Sequence, residues 1–375
     1  VRPVLTAHPT QFYPGSVLGI ITDLTDAVKN NDLVEIKTLL SQLGKTPFFK
    51  NKKPSPYDEA VSLTWYLENV FYNSISNIYK YIRSNIFDGK EFNNDILNLG
   101  FWPGGDRDGN PFVTTEITLK TSLKLRSDII KNYYRDIRKL RRRLTFKNIE
   151  TIIIDLENRL YLSITNHSKE PKISLTELKK QLYNVREILI SEHKSLFLDQ
   201  LDDIINKVNI FGYHFASLDI RQDSRIHSKA FESVFKVAQD LLITNSKENY
   251  STLSEDQKIK ILSKLSGDIP VNSFTNDSVV SILSSIRAMK LIQKSNGEMG
   301  SNRYIISNNQ SALNILEVFS MFKLSDWKSP TVDIIPLFET VSDLKVAGKV
   351  MESVYNNSTY RKHLANREDR QTIML

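Results

Sequence analysis

The residues of this chain that could do chemistry fall in four short stretches: LTAHPT (5–10), FWPGGDRDGNPFVTTE (101–116), SLDIRQDS (217–224) and PLFET (336–340). His8 precedes a proline that stops any strand carrying it. The imidazole would then leave the strand end, where a group titrating near neutral pH can act as general acid or base or can be purely structural. Arg221 closes an apolar run between Asp219 and Asp223. Its guanidinium can grip a carboxylate or phosphate through two parallel hydrogen bonds, or pair with acids along a rim. Glu339 follows DIIPLF with no other acid near the end of that run. One carboxylate can ligate Mg²⁺, but one alone does not define a metal site, so any partner must come from elsewhere.

The stretch 101–116 carries the densest mixture of signals. DRDGN resembles the start of a calcium loop, but counting from Asp106 the glycine falls fourth and Ile117 falls twelfth, where sixth and Glu are needed. The Gly-Lys-Ser/Thr of a Walker phosphate loop is also absent. Asp-Gly and Asn-Pro fit a plain turn. The Asp106-Arg107-Asp108 sandwich points instead to an oriented fork of donors, which keeps Arg107 as a candidate contact for an anionic substrate.

These stretches need elements to hold them. Helical periodicity covers about 15–41, 55–83, 114–144, 148–164, 175–208, 224–244, 255–265, 277–294, 310–323 and 343–366. Ser55, Pro56, Asp58 and Glu59 make a helix start of cap, first-position proline and acidic first turn. Between the helices lie six short apolar segments, 1–10, 97–105, 213–223, 303–309, 333–340 and 370–375. Strands separated by helices favour parallel pairing. Five of the six end in a polar cluster at the C-terminal side, which is the layout of a (β/α)₈ TIM-type barrel with its site on the loops after the strands. A doubly wound sheet is the alternative. With about six strands, the expected fold is a helix-rich α/β barrel, incomplete within one partial domain spanning 1–375, with two strands still to come.

Composition narrows the class. Fifty Lys and Arg against 43 Asp and Glu give a formal charge of +7, which permits an anionic partner without demanding one. No cysteine is present, so disulfides, zinc thiolates and cysteine nucleophiles are excluded. No run approaches a membrane span and no signal peptide opens the chain, so a soluble cytoplasmic protein is the expectation. The basic run RDIRKLRRR (135–143), with Tyr133 and Tyr134 beside it, raises nucleic-acid binding. On a helix these charges spread around the axis, which favours a solvated face or a subunit contact and no nucleic-acid partner.

Taken in order on successive strands, LTAHPT, FWPGGDRDGNPFVT, LDIRQDS and PLFET resemble phosphoenolpyruvate carboxylase along the whole chain. The resemblance implies a barrel enclosed by helices, Mg²⁺ or Mn²⁺ and no organic cofactor. It further implies a cytoplasmic homotetramer that makes oxaloacetate and phosphate from phosphoenolpyruvate and bicarbonate. His8 resembles the catalytic histidine, Arg221 an arginine on the substrate phosphate, and Glu339 one of two acidic metal ligands. Trp102 with Leu337 resembles the apolar pocket for CO₂ and the substrate methylene. Two departures stand out: QFYPGSV follows the histidine motif where the family has paired arginines, and the second acidic ligand, a lysine and a mobile Gly-Arg-rich loop belong after the sixth strand. The chain therefore reads as a piece of a longer protein that alone neither binds metal tightly nor turns over. Other readings are a different metal-dependent barrel enzyme acting on a phosphorylated enol or keto acid, and a basic helical nucleic-acid scaffold.

Overall fold

A computed structural model describes residues 1–6, 13–48, 54–90, 97–165, 170–242 and 249–375; His8 lies outside them. The apolar segments become short parallel strands: β1 (Val4–Leu5), β2 (Gly100–Phe101), β3 (Ser217–Leu218), β4 (Ile220–Asp223), β5 (Arg303–Ser307) and β6 (Asp333–Pro336). They pair in chain order as two three-stranded sheets, β1-β2-β3 and β4-β5-β6. The single segment expected at 213–223 serves both, because Asp219 interrupts it between β3 and β4. The last segment, 370–375, contributes a parallel bridge from Met374 to Leu337. Two open sheets, not a closed barrel, are what the described residues form.

Helices supply most of the chain, and their ends follow from local chemistry. Helix starts follow the capping logic at Ser55, whose Oγ accepts from the Asp58 backbone N–H at 3.2 Å while Asp58 accepts from the Ser55 N–H at 3.0 Å. Such a reciprocal cap stabilises a helix by about 1 kcal/mol. The helix it opens (Pro56–Tyr66) runs through a π-turn at Leu67–Phe71 into Tyr72–Asn85.

Three expected helices are each two. The stretch 15–41 divides into α1 (Gly15–Lys29) and α2 (Leu33–Lys45), because Asn31 takes φ 54 and Asp32 caps the second helix. The stretch 175–208 divides into Leu175–Glu192 and Leu198–Phe211 at the left-handed residues Lys194, Ser195 and Phe197. The last divides at Asn357, whose side-chain oxygen accepts from Thr359 and Tyr360 and so starts a new helix, Ser358–Ala365. Asn and Asp offer the backbone these alternatives cheaply, which periodicity does not register.

Two large apolar clusters back the strands. One joins Phe101, Leu218, Tyr133 and Phe211 to the helices before residue 211, and the other joins Ile220, Tyr304, Ile306, Ile334 and Phe338 to those after residue 223. The basic run lies at the end of Thr115–Arg141 and is met by acids: Arg141 pairs with Glu157 at 2.8 Å, Arg135 with Glu68 at 3.4 Å and Lys139 with Asp136 at 3.7 Å. Among the described residues, no helix is long and apolar enough to cross a membrane.

Candidate active site

The site gathers just beyond the ends of β2 and β6 and along β4, where Arg221 is the second residue of the strand. After Phe101 the chain turns tightly, with the Gly105 and Asp106 N–H groups both donating to the Trp102 carbonyl at 2.8 and 2.9 Å. Gly104 holds φ +79, and a side chain there would collide with Thr121. Gly105 has another constraint: a Cβ would run into the Asp219 carbonyl oxygen. The two backbones must touch because the loop then rejoins the sheet. Arg221 N–H donates to Gly105 O at 3.2 Å, and Arg107 N–H to Arg221 O at 2.9 Å.

That extended pairing decides what the Asp-Arg-Asp sandwich does. In an extended chain alternate side chains face opposite ways, so Asp106 and Asp108 share one side and Arg107 the other. Both aspartates grip Arg221: Nη1 to Asp106 Oδ2 at 3.2 Å and Nη2 to Asp108 Oδ2 at 2.7 Å. Arg107 points the other way and is buried. Its Nε donates to Val113 O at 3.1 Å and its Nη1 to Ser281 O at 2.9 Å, with Nη2 on the Ser281 hydroxyl. The structure thus places Arg107 against the helix Asp277–Asn296, outside the Arg221 cluster, where it ties the loop down and lines a separate cavity of about 400 Å³ with Gln222 and Ile226.

Arg221 is the centre of the arrangement. Its guanidinium stacks over the Trp102 indole, 5.2 Å from the ring centroid, and its Nη2 is 3.6 Å from Glu339 Oε1. Its Nε is buried with no hydrogen-bond partner among the described residues. Burial pushes the Asp106 carboxyl up from the ordinary carboxylate range, against the pull of Arg221, and burial pulls the Arg107 guanidinium down. The aspartates that flank Arg221 in sequence serve other groups: Asp223 pairs with Arg225 and Asp219 with Arg2.

Below the guanidinium lies an apolar cup. Ile305, Ile335 and Leu337 pack with Trp102 and Met374. Met374 was not singled out from sequence, since RQTIML carries no motif; only the parallel bridge to Leu337 puts it there. At the end of β5 and just after it, Ser307 Oγ and both polar atoms of the Asn309 amide are buried without partners among the described residues. Glu339 is 38% exposed, and Arg221 is its ion-pair partner. Among the described residues no group of three or more His, Cys, Asp or Glu could hold a metal. Glu339 is a hard oxygen donor, but Mg²⁺ wants about six ligands, so these residues alone do not fit the ion.

A profile of the phosphoenolpyruvate carboxylase family matches residues 1–176 and 156–375, the whole chain between them. The chain belongs to the phosphoenolpyruvate carboxylase family. Among curated relatives, the phosphoenolpyruvate carboxylase of Nitrosomonas eutropha is 27% identical, aligned over 100% of this chain and 47% of its own length. Those of Trichormus variabilis and a Nostoc species are each 26% identical over 97% of this chain and 43% of theirs. The chain thus spans a little under half the length of the curated relatives it matches.

Proposed function

We propose that this chain forms part of an enzyme that carboxylates phosphoenolpyruvate with bicarbonate, giving oxaloacetate and phosphate. The observation that carries this reading is Arg221, held within the parallel strand β4 by Asp106 and Asp108, stacked on Trp102 and keeping a buried Nε without a partner among the described residues. A fork so fixed is prepared for a phosphate oxygen before substrate arrives.

Arg221 then carries charge on the phosphoryl group while it passes to bicarbonate, a transfer that depends mainly on positioning and electrostatics. Trp102, Leu337 and Met374 supply a dry cup in which CO₂, released from carboxyphosphate, stays beside the enolate. His8 is the group proposed to handle the carboxyphosphate proton. Glu339 is proposed as one carboxylate of a divalent-cation site whose other ligands are not among the described residues; Mg²⁺ or Mn²⁺ there would neutralise phosphoryl and enolate charge. Arg107 is assigned to bracing the loop. The sequential parallel pairing supports a (β/α)₈ barrel as the complete architecture; a cytoplasmic homotetramer is proposed from membership of the family alone.

The test supplies a full-length protein containing this chain with ¹³C-bicarbonate and phosphoenolpyruvate. Label in the new carboxyl group of oxaloacetate, with one phosphate released per turnover, is the expected result. Consumption of phosphoenolpyruvate with no labelled oxaloacetate would refute carboxylation.

A further inference from the structure

Asp219 sits in the gap between β3 and β4 with its side chain 1% exposed. Its carboxylate accepts Arg2 Nη2 on Oδ1 at 2.6 Å and Arg2 Nη1 on Oδ2 at 2.9 Å, and Oδ2 also accepts the Trp102 indole Nε1–H at 3.1 Å. We infer that Asp219 is the positioning residue that fixes the Trp102 indole, and that Arg2 and Gly100 serve to hold Asp219 in place for it. The inference rests on the reading that Trp102 and Arg221 face substrate.

Each partner has a physical reason to be there. A carboxylate so buried persists only if it is paired, and Arg2 supplies both charge and geometry through its fork. A buried indole N–H likewise needs an acceptor. Arg2 reaches Asp219 by crossing β2 at Gly100, where an added Cβ would lie 2.6 to 2.8 Å from the guanidinium atoms. Gly100 has no left-handed backbone to accommodate; it is glycine at this crossing because a guanidinium occupies the space.

The consequence falls on the ring. Trp102 meets Arg221 on a face and Ile305, Ile335, Leu337 and Met374 around it. Anchored at Nε1, the indole cannot turn over about its side-chain torsions without breaking the bond to Asp219. Released, it can, and the stack under Arg221 and the apolar cup change together.

The reaction offers a readout for this. Transfer of the phosphoryl group breaks its bond to the enol oxygen and forms one to bicarbonate oxygen, leaving enolate and carboxyphosphate. Carboxyphosphate breaks its carbon–oxygen bond to give CO₂ and phosphate. The enolate carbon then either attacks CO₂, giving oxaloacetate, or takes a proton from water, giving pyruvate. A loosened cup loses CO₂ and shifts the partition to pyruvate.

Two measurements test the inference. In the full-length protein, the indole N–H signal of Trp102 is assigned by its loss in Trp102→Phe. Asp219→Asn, whose single oxygen cannot serve Arg2 and the indole together, and Gly100→Ala, which pushes Arg2 off the carboxylate, should each speed its exchange with deuterium about tenfold or more, since the bond protecting the indole is weakened or lost. Gly100→Ala displaces only the flexible end of Arg2, so it reports even where Asp219→Asn fails to fold. In the full-length protein both substitutions should raise the pyruvate-to-oxaloacetate ratio several-fold, and neither should add to the effect of Trp102→Phe. Unchanged exchange, an unchanged ratio or additive effects would overturn the role of Asp219. A wild-type protein that makes no oxaloacetate would instead overturn the proposed function, and the indole exchange would still decide how Asp219 holds the ring.

Discussion

Replacing Arg221 by Gln separates what the guanidinium does for the fold from what it does for a ligand. The substitution strands Asp106 and leaves Asp108 only the more distant Arg225; their side chains are 28% and 23% exposed. Breaking a fully buried pair costs about 3–5 kcal/mol and a surface pair about 0–1 kcal/mol. At this intermediate burial the loss should be about 1–3 kcal/mol. Asp106 already titrates above its usual range because it is buried, and without Arg221 it should titrate higher still. A carboxyl whose folded pKa lies above its unfolded value favours folding when protonated. Its contribution is complete below the unfolded pKa and is lost as pH rises through the folded one. The penalty in Arg221→Gln should therefore be largest at neutral pH and shrink towards pH 4. Urea unfolding of both proteins across that range measures it, and phosphoenolpyruvate titration by calorimetry on the full-length protein measures the ligand. Losing a charged hydrogen-bonding fork should weaken binding at least tenfold, at about 1.5–3 kcal/mol per bond to a charged group. A stability penalty that grows on acidification would refute the electrostatic account, and undiminished affinity would refute Arg221 as the phosphate contact.

Further outcomes follow from the same geometry. Arg107→Met should lower the urea midpoint by leaving Ser281 and Val113 acceptors unmet, with much less effect on phosphoenolpyruvate affinity than Arg221→Gln; the reverse pattern in the same titrations would make Arg107 a substrate contact. Gly105→Ala should force the turn off β4 and cost about 1–3 kcal/mol or more in urea unfolding, as overpacking does. Burial depresses His227 to about 3 and His363 to about 4 from an ordinary 6.5, so the unfolded chain binds their protons first. Stability should hold above pH 6.5 and fall as pH drops towards 4, and His363→Gln should flatten that fall in a urea–pH series. The chain by itself should give no oxaloacetate in a malate dehydrogenase-coupled assay; clear turnover would show that this chain suffices.

Much of this arrangement was legible in the chain, because it rests on local chemistry. The cap at Ser55, the six apolar segments and the polar clusters at their C-terminal sides each follow from a few neighbouring residues. The alternation of Asp106, Arg107 and Asp108 was legible too, had the loop been taken as extended. What could not be read was pairing across distance. Arg221 meets Asp106 and Asp108 from more than a hundred positions away, and Arg2 meets Asp219 from further still. The acids beside Arg221 in sequence look like its partners, yet each is claimed by another arginine. The breaks at Asn31, Lys194 and Asn357 escaped for a different reason, since apolar periodicity continues across a turn that reverses the chain.

The rim around Arg221 has a charge balance that bears on how substrate enters. Among the described residues, Asp106, Asp108 and Glu339 share Arg221, the exposed Arg225 reaches Asp108 and Glu339 only from further off while it pairs with Asp223, and Asp219 and Arg2 cancel each other. A doubly charged anion arriving there would meet a surplus of its own sign, so uptake together with a proton or a cation is the expected outcome. Binding of the two is then one coupled equilibrium, and each should tighten the other by the same factor. The apparent affinity for substrate would be a property of the ionic medium as much as of the protein.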